Sequence, residues 1–200
     1  MQISIEKNVG GIEGLCIIIP VVHGDSRGYF YESYNKSDMI EAGIDIEFVQ
    51  DNQSMSKKGV LRGLHFQKNY PQTKLVRAIK GSVFDVAVDL RQGSSTFGKW
   101  YGVILTEENK KQFLIPKGFA HGFLVISDTA EFCYKCDDFY HPDDEGGIAW
   151  NDPEIGIVWP RITGEYVGNA CANGYLLDNI IPLTLSAKDQ QWKTLKANKL

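Results

Sequence analysis

Apolar and polar positions along this chain alternate over short stretches, and the stretches are separated by Gly, Pro, Asn and Asp. Brief β-branched and aromatic runs between such punctuation predict strands. They fall at 15–22, 29–34, 47–50, 60–66, 75–79, 83–90, 100–105, 112–115, 122–126, 130–136 and 156–159. Many short strands with turn signals between them point to an all-β sandwich or barrel. Along Val83-Phe-Asp-Val-Ala-Val-Asp-Leu90, strict alternation sets Asp85, Ala87 and Asp89 on one face, which is expected to be polar. Helical periodicity is scarce. The stretch 37–43 offers a Ser cap and a Gly stop for one or two turns. At 186–195, Ser186 followed three residues later by Asp189 forms a capping-box variant that predicts a C-terminal helix. Residues 161–185, punctuated by Gly164, Gly168, Asn169, Asn173 and Gly174, read as a long inserted loop. No repeat or linker divides the chain, so residues 1–200 are expected to form one domain.

Composition narrows the function without naming it. With 43% hydrophobic and 23% charged residues, the chain is of ordinary globular character. At this length it can bury roughly 70% of the surface of its unfolded form, so it needs no disulfide or metal to fold. The charge balance of 21 basic against 25 acidic residues gives −4, which argues against nucleic acid as a partner. The longest apolar run, 15–22, is shorter than the roughly 20 residues a membrane helix needs, and it lacks the form of a signal peptide. A soluble, cytoplasmic protein is expected. Cys16, Cys133, Cys136 and Cys171 are too scattered for a disulfide scaffold. Cys133 and Cys136 lie on a predicted strand, where residues three apart face opposite sides, so reduced thiols are expected rather than zinc or redox chemistry.

Four histidines are the obvious candidates for chemistry. His23 and His141 lie beside turn residues and read as surface groups, whereas His65 and His121 sit in strand-like runs. The spacing Pro116-x-Gly118-x-x-His121, with an earlier strand bearing His65, resembles the two-motif plan of the cupin β-barrels. Metal-binding cupins place a second histidine two positions after the first, and a glutamate soon after. Here Gln67 stands at that position, and 68–74 contains no carboxylate. Two histidines are a poor metal site, since even catalytic zinc takes three protein ligands. The expectation is a cupin-like jelly roll with no metal and no cofactor.

Longer matches sharpen this. In order they are Gly24-Asp-Ser-Arg-Gly-Tyr-Phe-Tyr-Glu-Ser33, Phe48-Val-Gln-Asp-Asn-Gln-Ser54, Val60-Leu-Arg-Gly-Leu-His-Phe-Gln67, Lys74-Leu-Val-Arg77, Val83-Phe-Asp-Val-Ala-Val-Asp-Leu-Arg91, Ser95-Thr-Phe-Gly98, Ile115-Pro-Lys-Gly-Phe-Ala-His-Gly-Phe123, Tyr134-Lys135, Trp150-Asn-Asp-Pro153 and Leu185-Ser-Ala-Lys-Asp189. Through them the chain resembles the dTDP-4-dehydrorhamnose 3,5-epimerases. The resemblance implies a substrate, dTDP-4-dehydro-6-deoxy-D-glucose, whose C3 and C5 flank a C4 ketone. Inverting them takes a base on one face, an acid on the other and a cation near the enolate oxygen.

By the same resemblance His65 is the base, Asp189 its orienting partner, Tyr134 the opposing proton donor and Lys74 the cation at the C4 oxygen. Arg27, Arg62 and Lys188 match positions that bind the pyrophosphate. Gln50, Asp51, Asn52, His121 and Glu145 match polar contacts, Glu32 a base-reading position, and Tyr140 the aromatic that stacks on thymine. The resemblance further implies a homodimer whose pocket is shared, with the Arg27 and Glu32 region reaching toward the partner. Read singly, Arg62 fits a surface ion pair, Lys74 a solvated strand end, Tyr134 a core aromatic and Asp189 a capping acid. Jointly they fit one reaction. Inversion at a single carbon, a ketoisomerase, or a sugar-nucleotide binding module without catalysis are the rival readings.

Overall fold

The computed structural model describes residues 2–161 and 181–198. The expected inserted loop therefore falls largely outside the described residues, as does Cys171. Thirteen strands are described: β1 (Ile3–Lys7), β2 (Cys16–Pro20), β3 (His23–Asp25), β4 (Gly28–Phe30), β5 (Gln50–Lys57), β6 (Leu61–Gln67), β7 (Lys74–Lys80), β8 (Ser82–Asp89), β9 (Trp100–Thr106), β10 (Gln112–Ile115), β11 (Phe119–Val125), β12 (Thr129–Cys136) and β13 (Glu145–Gly147). One sheet runs β1-β2-β10-β7-β12-β5 and faces a second, β13-β6-β11-β8-β9, while β3 and β4 form a separate hairpin.

The central core lies between the two sheets and includes Val76, Ala78, Val83, Ala87, Phe113, Phe123 and Phe132. Phe123 and Phe132 stack across it with ring centroids 4.3 Å apart, a geometry that adds roughly 1 kcal/mol beyond burial. A second cluster covers the outer face of the five-stranded sheet, where Leu64, Val86, Val88 and Ala120 meet Ile155, Trp159 and Leu195. That sheet is therefore buried on both sides, and every residue of β11 is buried.

This double burial changes three sequence expectations. The face of Asp85, Ala87 and Asp89 is the interior one, and both aspartates are fully buried. Asp89 is held by Arg91, Ser94 and Thr96, which keep its carboxyl below the usual range although burial works against ionisation. The 156–159 run forms no strand but lies as irregular chain over the outer face. The C-terminal helix is confined to α2 (Leu195–Asn198), and 187–190 form a turn. Ser186 does open that turn, accepting from Asp189 N at 3.1 Å. The Asp189 carboxylate is directed elsewhere, toward His65, so the capping box is not closed.

The helix α1 (Lys36–Glu41) is present, but Asn35 rather than Ser37 caps it, accepting from Ser37 N and Asp38 N. Among the described strands, β1, β3 and β13 have no counterpart in the predicted runs, and β5 meets one only at Gln50. β1 is a short edge strand, and β5 has the sequence QDNQSMSK, with too few apolar residues to signal a strand.

Candidate functional site

Register explains how one end of the sandwich becomes polar. Across β7, β12 and β5, Lys74 pairs with Cys136 and Cys136 with Gln50, while Val76 pairs with Tyr134 and Tyr134 with Asn52. Directly opposed residues share a face, so these six project inward together. The adjoining pairs Ala78–Phe132 and Phe132–Ser54 continue the face into the apolar core. On the opposing sheet His121 is the strand partner of both His65 and Ala87.

A bulge next to the histidines completes the set. The β11–β6 register advances two residues from His121 to Phe123 but three from His65 to Arg62. An extra residue of this kind turns side chains that alternation would separate onto one side. Arg62 and His65 accordingly both line the cavity. Gly63 permits the close approach: a Cβ there would stand 2.6 Å from Gly122 Cα, and its φ is +127°.

The cavity has a volume of ≈730 Å³ and is lined by Arg62, His65, Lys74, His121, Tyr134, Lys188 and Asp189 among others. Seven of the fourteen residues expected at the site are thus brought together around one space. His65 Nε2 meets Asp189 Oδ1 at 2.5 Å. Trp192 donates its indole N–H to the same oxygen at 3.3 Å and packs edge-on to the His65 ring at 6.3 Å. It fits there only because residue 147 is glycine, where a Cβ would stand 2.2 Å from the indole. Burial disfavours ionisation of Asp189, yet the bonds from His65, Ser186 and Trp192 hold its carboxyl below the usual range.

Across the cavity, burial raises the Tyr134 phenol above its ordinary value, with Cys136 adding to the shift and Arg62 opposing it. The Lys74 ammonium lies 5.9 Å from the Tyr134 ring centroid. Burial pushes its pKa down, while Cys136, Asp85 and Glu145 act in the opposite direction. His121 is anchored from behind, with Nε2 3.0 Å from each oxygen of Asp85.

At the mouth, Lys188 donates to Glu145 Oε2 at 2.6 Å and the Tyr140 hydroxyl donates to the same oxygen at 3.0 Å. Glu145 Oε1 lies 3.9 Å from His65 Nδ1. Burial works against this carboxylate too, but Lys188, His65 and Tyr140 keep its pKa below the ordinary glutamate value. Gln50 donates to Asn52 Oδ1 at 2.9 Å and accepts from Tyr140 N at 3.0 Å, which ties the β5 residues to this group.

Three expected contacts lie elsewhere. Asp51 stands between Gln50 and Asn52 on the strand, so it faces outward and pairs with Lys135 at 2.8 Å. Arg27 is exposed on the β3–β4 hairpin and pairs with Asp25 at 2.6 Å. Glu32 accepts from Asn35 at 2.9 Å. Neither of the last two lines the cavity of its own chain.

Asp85 and Trp192 were not singled out as site residues in the sequence. The alternation of 83–90 carried the signal for the first, because a carboxylate on an inward face needs a partner. Trp192 offered none.

A cupin-like barrel whose interior sets a histidine–aspartate pair against a phenol, with an enclosed lysine beside it, defines an acid–base enzyme. The comparisons give the family. A family model described as dTDP-4-dehydrorhamnose 3,5-epimerase matches residues 10–197. The chain is 50% identical over 187 residues to the dTDP-4-dehydrorhamnose 3,5-epimerase of Methanothermobacter thermautotrophicus, covering 94% of this chain and 92% of that one. It is 53% identical over 178 residues to the Escherichia coli enzyme of the same name, covering 88% and 96%. A crystal structure of a dTDP-6-deoxy-D-glucose-3,5-epimerase from Legionella pneumophila, in complex with dTDP-4-keto-L-rhamnose, superposes with a TM-score of 0.84 at 49% identity, covering 97% and 93%. The chain belongs to the dTDP-4-dehydrorhamnose 3,5-epimerase family.

Proposed function

We infer that this chain inverts C3 and C5 of dTDP-4-dehydro-6-deoxy-D-glucose to give dTDP-4-dehydro-L-rhamnose, an isomerisation in dTDP-rhamnose biosynthesis. The observation that carries the assignment of roles is the placement of His65 and Tyr134 around one cavity with Lys74 between the sheets beside them. His65 takes the proton from carbon. With Nε2 on Asp189, the other ring nitrogen receives it, and the carboxylate stabilises the imidazolium that forms. The electron pair moves onto the C4 oxygen, where the Lys74 ammonium meets the developing charge. Tyr134 then delivers its hydroxyl proton to the opposite face of the same carbon. Its raised pKa keeps it protonated for that step. Proton exchange with water returns His65 and Tyr134 to their starting forms, and the cycle repeats at the second carbon.

Arg62 and Lys188 supply positive charge for the pyrophosphate, and Tyr140 offers a half-exposed ring for the thymine. Incubation with the 4-keto substrate in deuterated water tests the assignment. Deuterium at C3 and C5 is expected by NMR. Label at one carbon would replace the double epimerisation by a single one, and label at neither would overturn the reading.

The Arg27 and Glu32 region is assigned to the site of a second copy in a homodimer. Its support is the β3–β4 hairpin, which stands apart from both sheets and exposes Tyr29 and Phe30 by 62% and 68%. Mixing an Arg27→Ala protein with a His65→Ala protein tests this directly. Heterodimers would regain activity that neither parent has, and a mixture no more active than the sum of its parents would sink the shared site.

A further inference from the structure

Gln67 occupies the position where a metal-binding cupin would place a ligand, yet its amide is fully engaged with backbone. Nε2 donates to Tyr70 O at 2.6 Å and to Phe139 O at 3.2 Å, and Oε1 accepts from His141 N at 2.7 Å. The side chain is buried, with 7% of its surface exposed. Two of its three partners flank Tyr140 in the chain. The same junction is zipped along its length. Gln72 Nε2 donates to Asp138 O at 2.8 Å, and Asp144 accepts from Asn69 N and Tyr70 N at 2.8 and 2.9 Å. The Tyr70 and His141 rings stack at 4.1 Å with planes 20° apart.

We propose that Gln67 is a positioning residue for the nucleotide end of the site: it fixes the backbone on both sides of Tyr140 and so sets the ring that stacks on thymine. Tyr140 is half-exposed and, among the described residues, is otherwise held by its bonds to Gln50 and Glu145. A buried amide with every group satisfied by backbone admits one loop conformation, since any other leaves a donor or acceptor unpaired. His65, two residues earlier on β6, faces the same interior, so one strand carries both the base and the residue that orders the nucleotide contact. The proposal rests on the assignment of Tyr140 to the thymine.

A double-mutant cycle on dTDP affinity, measured by titration calorimetry, tests it. Gln67→Leu and Tyr140→Ala are each expected to raise the Kd for dTDP about tenfold. The double variant should then lose little more than either alone, because both changes remove one correctly placed ring. In turnover, Gln67→Leu should raise KM several-fold more than it lowers kcat, a split that general destabilisation does not produce. Losses that multiply to about a hundredfold, or an unchanged Kd in Gln67→Leu, would overturn the positioning role. An unchanged Kd in Tyr140→Ala would instead remove the thymine assignment on which it stands. Should Gln67→Leu fail to fold, Gln72→Ala removes a single bond to the same loop. It carries the same cycle with an expected loss of about threefold.

Discussion

Two histidine–carboxylate pairs lie on adjoining strands of one sheet, His65 and His121 being direct partners in the β6–β11 ladder. Their chemistry is the same and their surroundings are not. His65 keeps 26% of its side chain exposed to the cavity, and its Asp189 comes from the C-terminal turn. His121 is 9% exposed and its Asp85 is fully buried on the neighbouring strand. His65, tied to Asp189 at Nε2 and exposed to the cavity, can cycle a proton at Nδ1, where Glu145 Oε1 stands 3.9 Å away. A histidine gripped at Nε2 by both oxygens of a sealed carboxylate is held as a fixed part of the wall. The contrast assigns the base to the pair built from distant segments, and rigidity to the pair built within the sheet.

The strongest way to break this contrast is to remove the two histidine functions separately. His65→Ala is expected to lower kcat by about 10⁴-fold and to abolish deuterium incorporation at both carbons. It also takes a partner from the buried Asp189 carboxylate, for an expected loss of about 1–2 kcal/mol in unfolding, which leaves the protein folded for the assay. Near-normal exchange in this variant would show that the base lies elsewhere. The two carboxylates should then behave oppositely. Asp189→Asn removes the charge that orients and stabilises the imidazolium, for an expected loss of about 10⁴-fold in kcat. Asp85→Ala leaves His121 and a buried cavity without their partner, costing about 3 kcal/mol of stability in urea unfolding. If Asp85→Ala lost more catalysis than Asp189→Asn while staying fully folded, the division of labour between the pairs would be wrong.

Tyr134→Phe sharpens the same comparison from the other face of the substrate. Removing the phenolic proton should reduce net inversion about 10²-fold while His65 still exchanges the carbon proton with solvent within about tenfold of the wild type. Equal losses in inversion and exchange, followed together by NMR in deuterated water, would remove Tyr134 from the donor role.

How much of this was legible in the chain depends on where the controlling contacts come from. Strands buried on one or both faces, such as β8 and β12, announce themselves by their apolar residues. β5 does not, because its inward residues Gln50 and Asn52 serve a polar site rather than a core. The capping-box signal at Ser186 and Asp189 was physically sound and locally obeyed for one turn. It was then overridden by a stronger tertiary demand, the bond to a histidine 124 positions away. Local patterns cannot encode a competition of that range. Asp51 was lost for a simpler reason: one step along a strand reverses the face. Alternation places Asp51 on the outer face only once β5, with its polar sequence, is known to be a strand.

The smallest expected effect concerns the alkaline limit of turnover and separates Lys74 from Tyr134. Burial lowers the lysine from its ordinary value of 10.5 and raises the phenol from 10.0. Burial thus favours loss of charge by the ammonium and retention of the proton by the phenol as pH rises. The base-side fall in kcat is therefore expected to follow the loss of the cation at the C4 oxygen. Lys74→Arg keeps a positive charge as pH rises, because a guanidinium does not deprotonate. The planar head fits a point-charge position poorly, so kcat at neutral pH should drop about tenfold. Its pH profile, however, should extend to higher pH, where the fall is set by the phenol instead. Combining Lys74→Arg with Tyr134→Phe should then remove the remaining alkaline limb. An unshifted limb in Lys74→Arg would mean that some other group sets it, and the cation would have to be sought at Arg62 on the opposite sheet.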